Sequence, residues 1–244
     1  MRLDTLALRL RARTPLQAGD LGVRLCQTTL RQVYAAFAVV ALPVVTLALA
    51  TSELAAWLPL VVMWWAAPWF DRTILFVLSR AAFGQPTTPL DLWRARRVVW
   101  WRHWWFTLTA RRLSPWRPLT DPVYLLEGLP VGQAGRRARQ VRRRQMGAGL
   151  MITHTFAVAE LCLLIAMLSL LVWFAPQGLE SGVREFLFDG PSSRTSLIVS
   201  GAYGAVMFFL EPFYVATGFA VYLNRRAELE GWDIEQEFRR AFAA

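Results

Sequence analysis

Three side chains stand where ionisable groups are expensive. Glu160 and Glu211 fall inside long apolar runs, and His154 lies six residues before Glu160. On a helix that separation is about 9 Å of rise. Glu160 is about eleven residues into its run and Glu211 about fifteen into its own, which puts both near the midplane of a bilayer if each residue rises ~1.5 Å. A charged acid there costs at least ~2.5–3.5 kcal/mol. No arginine falls within the runs to pair with them. Several states accommodate such acids: a protonated, hydrogen-bonded carboxyl; two carboxyls sharing one proton; a wet cavity; or an arginine from a partner subunit. Glu211-Pro212 also reads as the cap and first residue of a half-helix that breaks its run, as at transporter midplane sites. The candidate polar site is therefore Glu160, Glu211 and His154. Its chemistry is proton or ion handling, a packing role, or docking of another subunit.

Other chemistry finds little support. HExxH, GxSxG and GxGxxG motifs are absent, and there are only two histidines, His103 and His154. Zinc catalysis needs more ligands than that. All 27 basic residues are arginine, so there is no lysine for a Schiff base or a P-loop. Ser169 and Thr155 share a run with His154, but no spacing makes a dyad of them. A lipid-directed enzyme would need His103, Asp91, Asp121 or Glu127 to cluster, and no spacing demands it. Cys26 lies in an amphipathic segment and Cys162 mid-run, an implausible disulfide pair and no metal framework. The expectation is a non-enzymatic protein with no cofactor and no metal.

The elements that must position these residues are apolar. Apolar residues make up 55% of 244, and the mean hydropathy is +0.34. Runs of about 17–25 apolar residues suit a ~30 Å hydrocarbon core. Four are expected: Tyr34–Ala50, Leu54–Phe70, Leu150–Phe174 and Ser196–Tyr222. The first two make a tight hairpin across Thr51-Ser52-Glu53, and Asp71-Arg72 closes it. Thr73–Phe83 then reads as a cytoplasmic extension or an interfacial helix. The fold class is all-α: an integral membrane protein with two transmembrane hairpins and interfacial amphipathic helices. Its parts are an interfacial helix (1–32), a first hairpin (33–70), an Arg/Trp-rich linker (71–149), a second hairpin (150–222) and an amphipathic tail (223–244). Thr14-Pro15 reads as the cap and first residue of the opening helix. Ser200/Gly204 and Gly201/Ala205 are small pairs suited to close helix approach. In the tail, Ile234, Phe238 and Phe242 form an apolar stripe, and Glu235/Arg239 is a favourable pair.

The linker holds thirteen arginines between Asp91 and Gly149. As one helix, Trp93, Trp100, Trp101, Trp104 and Trp105 share an arc, which should lie at headgroup level. Arg136, Arg137, Arg142, Arg143 and Arg144 are expected to meet anionic phospholipid headgroups. The formal net charge of +10 then reflects a membrane surface, not nucleic acid. Twenty-five of the 27 arginines lie on one side of the runs, which puts both termini in the cytoplasm of a bacterial inner membrane.

The tail Tyr222-Leu-Asn-Arg-Arg-Ala-Glu-Leu-Glu-Gly231-Trp-Asp233, after Glu211-Pro212-Phe, resembles the end of uncharacterised bacterial multi-pass proteins, including those akin to the membrane domain of glycerophosphodiester phosphodiesterases. Phe70-Asp71-Arg72, Leu78-Ser79-Arg80 and the opening Pro15 to Asp20-Leu-Gly resemble inner-membrane proteins found near MoxR-type ATPase genes. The resemblance implies a helical inner-membrane protein and no activity. The expected role is an accessory or assembly subunit of a membrane complex, with a membrane-protein partner or a second copy. The alternative is a small transporter or channel component working through its intramembrane carboxylates.

Overall fold

A computed structural model describes residues 13–102, 104–109, 111–174 and 192–231. Helix α1 (Pro15–Thr28) opens with the Thr14 hydroxyl accepting from the Gln17 amide, and Gln17 returning the bond to Thr14 N–H. Proline at the first helical position loses no bond there. After the irregular Thr29, α2 (Leu30–Ala50) runs through Pro43 to a turn at Thr51–Glu53. Helix α3 (Leu58–Ala82) returns. Then come α4 (Pro89–Arg94), a π-helical turn (Arg97–Trp101), α5 (Trp104–Leu108), α6 (Arg117–Leu126) and α7 (Val131–Arg142). Helix α8 (Met146–Phe174) and the longest, α9 (Ser193–Glu230), complete the order.

Among the described residues four segments are long and apolar enough to cross a membrane: Leu30–Glu53, Leu58–Ala82, Met146–Leu171 and Ser193–Glu230. By length and composition they are candidate spans of a multi-pass membrane protein. Their packing is unequal. The apolar windows of α9 and α3 are 72% and 61% buried, while that of α8 has no buried residue. Helix α9 is the hub; α1, α2, α3, α6 and α8 all lean on it.

Backbone contact explains the hub. A Cβ at Gly22 would lie 2.2 Å from the Ala216 carbonyl oxygen, and one at Gly218 would lie 2.4 Å from Pro118 Cβ. Residues 216–218 are thus clasped by α1 on one side and the start of α6 on the other. Lacking a hydrophobic force between helices in lipid, small residues let backbones approach. The inward face of α1 is accordingly Ala18, Gly19, Gly22, Leu25 and Cys26, while Leu16 is 63% exposed.

Several expectations from the sequence change here. Asp71-Arg72 does not close the second span: α3 continues twelve residues past Phe70, as far as Ala82, with both charged residues buried mid-helix. Thr73–Ala82 is therefore that same helix, not a separate interfacial one. The hairpin turn extends to Trp57, so α3 starts at Leu58 instead of Leu54. Glu211-Pro212 leaves α9 unbroken. The tryptophan segment is not one helix, because Arg102 is extended (φ −67°, ψ 119°) and splits it. The small pairs part company: Gly204 meets Val45 and Met63, whereas a Cβ at Gly201 would meet nothing within 4 Å. The tail stripe, Glu235/Arg239 and His103 lie outside the described residues.

Candidate functional site

The acids are not alone. Residues 111–117 of the linker turn into the bundle, and α6 is buried from Arg117 to Leu125. Arg117 Nε lies 2.7 Å from Asp71 Oδ2, and its NH2 group lies 3.6 Å from Glu211 Oε1. Arg117 is 7% exposed. Asp71 and Glu211 are themselves adjacent, two carboxyls on one guanidinium. Neither Asp71 oxygen, nor Glu211 Oε1, finds an aligned hydrogen-bond donor. Burial opposes the charge of Arg117, but Asp71, Tyr214 and Glu211 together outweigh it and raise its pKa above the usual guanidinium value. The arginine beside Glu211 comes from this chain, outside the spans, whereas an arginine was expected only from a partner subunit.

Two further pairs brace this centre. Arg111 bonds to Asp121 and, at 3.1 Å, to Thr120, with its guanidinium 3.8 Å from the Tyr124 ring. Arg72 donates to the carbonyl of Val99 at 3.2 Å and to the Thr107 hydroxyl at 2.6 Å. Trp100 donates to the Thr73 hydroxyl at 3.0 Å. Through these bonds α3 satisfies the broken backbone of the tryptophan segment.

Asp71's neighbours open onto a cavity of about 180 Å3 between α3, α8 and α9. Trp64, Arg112, Arg117, Glu160, Tyr203 and Glu211 are among the residues that line it. The Glu160 carboxyl faces the Tyr203 hydroxyl. The cavity thus joins Glu160 and Glu211, which the sequence singled out, and adds Arg112 and Arg117, with Asp71 behind it on Arg117. His154 is exposed on α8 and does not line it. The Ser196 hydroxyl bonds to the Ala56 carbonyl at the α2–α3 turn. Fifteen residues separate Ser196 from Glu211, about 22 Å of helix. Glu211 therefore lies about that far along α9 from the turn. Among the described residues no group of three His, Cys, Asp or Glu is placed to hold a metal.

The expected headgroup contacts divide. Trp93, Trp101, Trp104 and Trp105 are exposed, Trp105 at 67%. Trp100 is half-buried and tethered to Thr73. Arg136, Arg143 and Arg144 are exposed on or just after α7. Arg137 instead pairs with Glu127 at 3.2 Å and with Glu230, while the Tyr222 hydroxyl donates to Glu127 at 2.8 Å. It ties α7 to the end of α9. Arg142 stacks 4.5 Å from the Trp116 ring. In sequence Asp71 reads as the end of a span, Asp121 as one of four scattered polar residues and Arg117 as linker charge; the one signal of burial is Asp71-Arg72 between apolar segments without a helix breaker. No family model, curated protein or solved structure matches the chain.

Proposed function

We propose that this chain is a small, non-enzymatic transport component of a bacterial inner membrane, with both termini cytoplasmic, that exchanges protons or small cations at the Asp71–Glu211–Glu160 carboxyls. One observation carries the reading: two carboxyls and two guanidiniums line one cavity of the bundle, and a third carboxyl, Asp71, is paired to the Arg117 that lines it. That inventory leaves one negative charge to be balanced by a proton or a cation. Like charges at such spacing cannot all ionise without a counter-charge. The cavity is polar and roomy enough for water, which a proton route requires. The arginine-rich end faces the cytoplasm on this reading, and exposed Arg136, Arg143 and Arg144 meet anionic headgroups there. Four spans do not readily enclose a route alone, so a second copy or a partner completes it. The test is proton flux in liposomes holding the purified protein. Flux should fall to background with Glu211→Gln; an unchanged flux, or none in the parent, rejects the proposal.

A second reading, an accessory subunit of a membrane complex, is favoured by α8, whose apolar window has no buried residue. Purification in gentle detergent should then bring down a stoichiometric membrane partner. A lone monomer without one would count against it.

A further inference from the structure

We propose that the same cavity binds a small oxyanion on Arg112, and that Glu160 couples this binding to uptake of a proton. The inference deepens the function proposed above and rests on its premise that these carboxyls change protonation.

Arg112 differs from its neighbours. Arg111 and Arg117 each touch a carboxylate. Arg112 makes no ion pair among the described residues; its guanidinium lies 3.9 Å from the Trp64 ring, and its buried Nε has no hydrogen-bond partner. Burial, then Arg117, pulls its pKa below the usual guanidinium value. A partly desolvated cation on an aromatic face, with carboxyls nearby but none bonded to it among the described residues, lacks its strongest kind of partner. Its planar fork fits a carboxylate, sulfate or phosphate group. A cavity of about 180 Å3 has room for one such group.

The groups facing this position come from every surrounding element. Glu160 stands on α8, Tyr203 and Glu211 on α9, Asp71 and Trp64 on α3, and Arg117 on α6. Asp71 and Glu211 are engaged by Arg117. Glu160 faces only the neutral Tyr203 at close range. Ionised, Glu160 repels an anion on Arg112; protonated, it donates a hydrogen bond to that anion. Each ligand then strengthens the other, by the reciprocity of linked binding. Helix α8 is the least buried of the four candidate spans, so the element carrying Glu160 is the one freest to adjust.

The oxyanion is either free in solution or the phosphate of a lipid headgroup. The full chain is reconstituted in phosphatidylcholine nanodiscs and titrated with sulfate, a dianion throughout the range used. Binding at about pH 5.5 should be at least about tenfold tighter than at about pH 7.5, as expected from removing one nearby like charge. Glu160→Gln should bind at the higher pH as the parent does at the lower, with no pH dependence left. That gain of binding also shows the variant to be folded. Arg112→Gln should lose binding. If the ligand is a lipid phosphate, parent protein moved from phosphatidylglycerol-containing bilayers should carry that lipid through exchange, and Arg112→Gln should not. Equal sulfate binding by Arg112→Gln, weaker binding by Glu160→Gln, or neither sulfate binding nor a retained lipid would overturn the inference. Proton flux that depends on Glu211 but comes with no anion binding would sink this proposal and leave the transport reading standing.

Discussion

Arg117 carries more of this protein's polar interior than any other side chain. It neutralises Asp71 and approaches Glu211 from a helix that is not itself a span. Breaking a buried ion pair from one side leaves a charge without compensation, which costs about 3–5 kcal/mol. Arg117→Met should therefore lower the unfolding free energy in detergent by that much. Arg117→Met combined with Asp71→Asn and Glu211→Gln should recover most of the loss. If the triple variant is no better than the single, the charges are not what Arg117 holds. Cys26 offers an independent probe. It is fully buried, and burial raises its thiol pKa from 9.0 to about 12. The unfolded chain loses this proton first, so the contribution of Cys26 to stability is complete below about pH 9 and is lost as pH rises toward about 12. Cys26→Ala should flatten that alkaline decline. At neutral pH a maleimide should label Cys26 only after unfolding, and labelling of the folded protein would contradict its burial.

At the scale of elements, the clasp on α9 is what converts helices into a bundle. Gly22→Ala and Gly218→Ala would each push a methyl into backbone, at 2.2 Å and 2.4 Å. Overpacking of this kind costs about 1–3 kcal/mol or more, so both should destabilise. Gly201→Ala is the control: its methyl meets nothing within 4 Å and should be neutral or stabilise by up to ~1 kcal/mol through helix propensity. Equal effects at the three sites would mean that the close approach is not real. These contacts were only partly legible beforehand. The Thr14-Pro15 cap located the start of α1 but said nothing of which face packs inward. Here the small residues pack inward and Leu16 faces outward. Likewise α6 read as linker because Arg117 and Asp121 are charged. Their burial depends on Asp71 and Arg111, which lie 46 and 10 residues away respectively in sequence, and no local pattern encodes that.

For the whole molecule, the arginine asymmetry and the hub on α9 make a joint prediction about sidedness. Gly132 is exposed at the start of α7. In a background of Cys26→Ser and Cys162→Ser, Gly132→Cys and Gly182→Cys should react with an impermeant thiol reagent from opposite faces of the membrane. Reaction of both from the same face would reject the four-span topology.

Composition and hydropathy alone determined that the chain is helical, that four segments are fit to cross a membrane, and that arginine is excluded from most of their length. These are one-dimensional properties: a helix satisfies its own backbone, and a bilayer's thickness selects its length. The sequence also flagged Glu160 and Glu211, because an acid in an apolar run is costly wherever it points. Tertiary structure alone decided that they share a cavity, that Arg117 and Asp71 join them, that His154 stays outside, and that Arg112 lacks a carboxylate partner. Those facts depend on helix rotation and on the linker folding into the bundle. Electrostatic energy falls off over a few ångströms in space, and residues 71, 117 and 211 are neighbours only there.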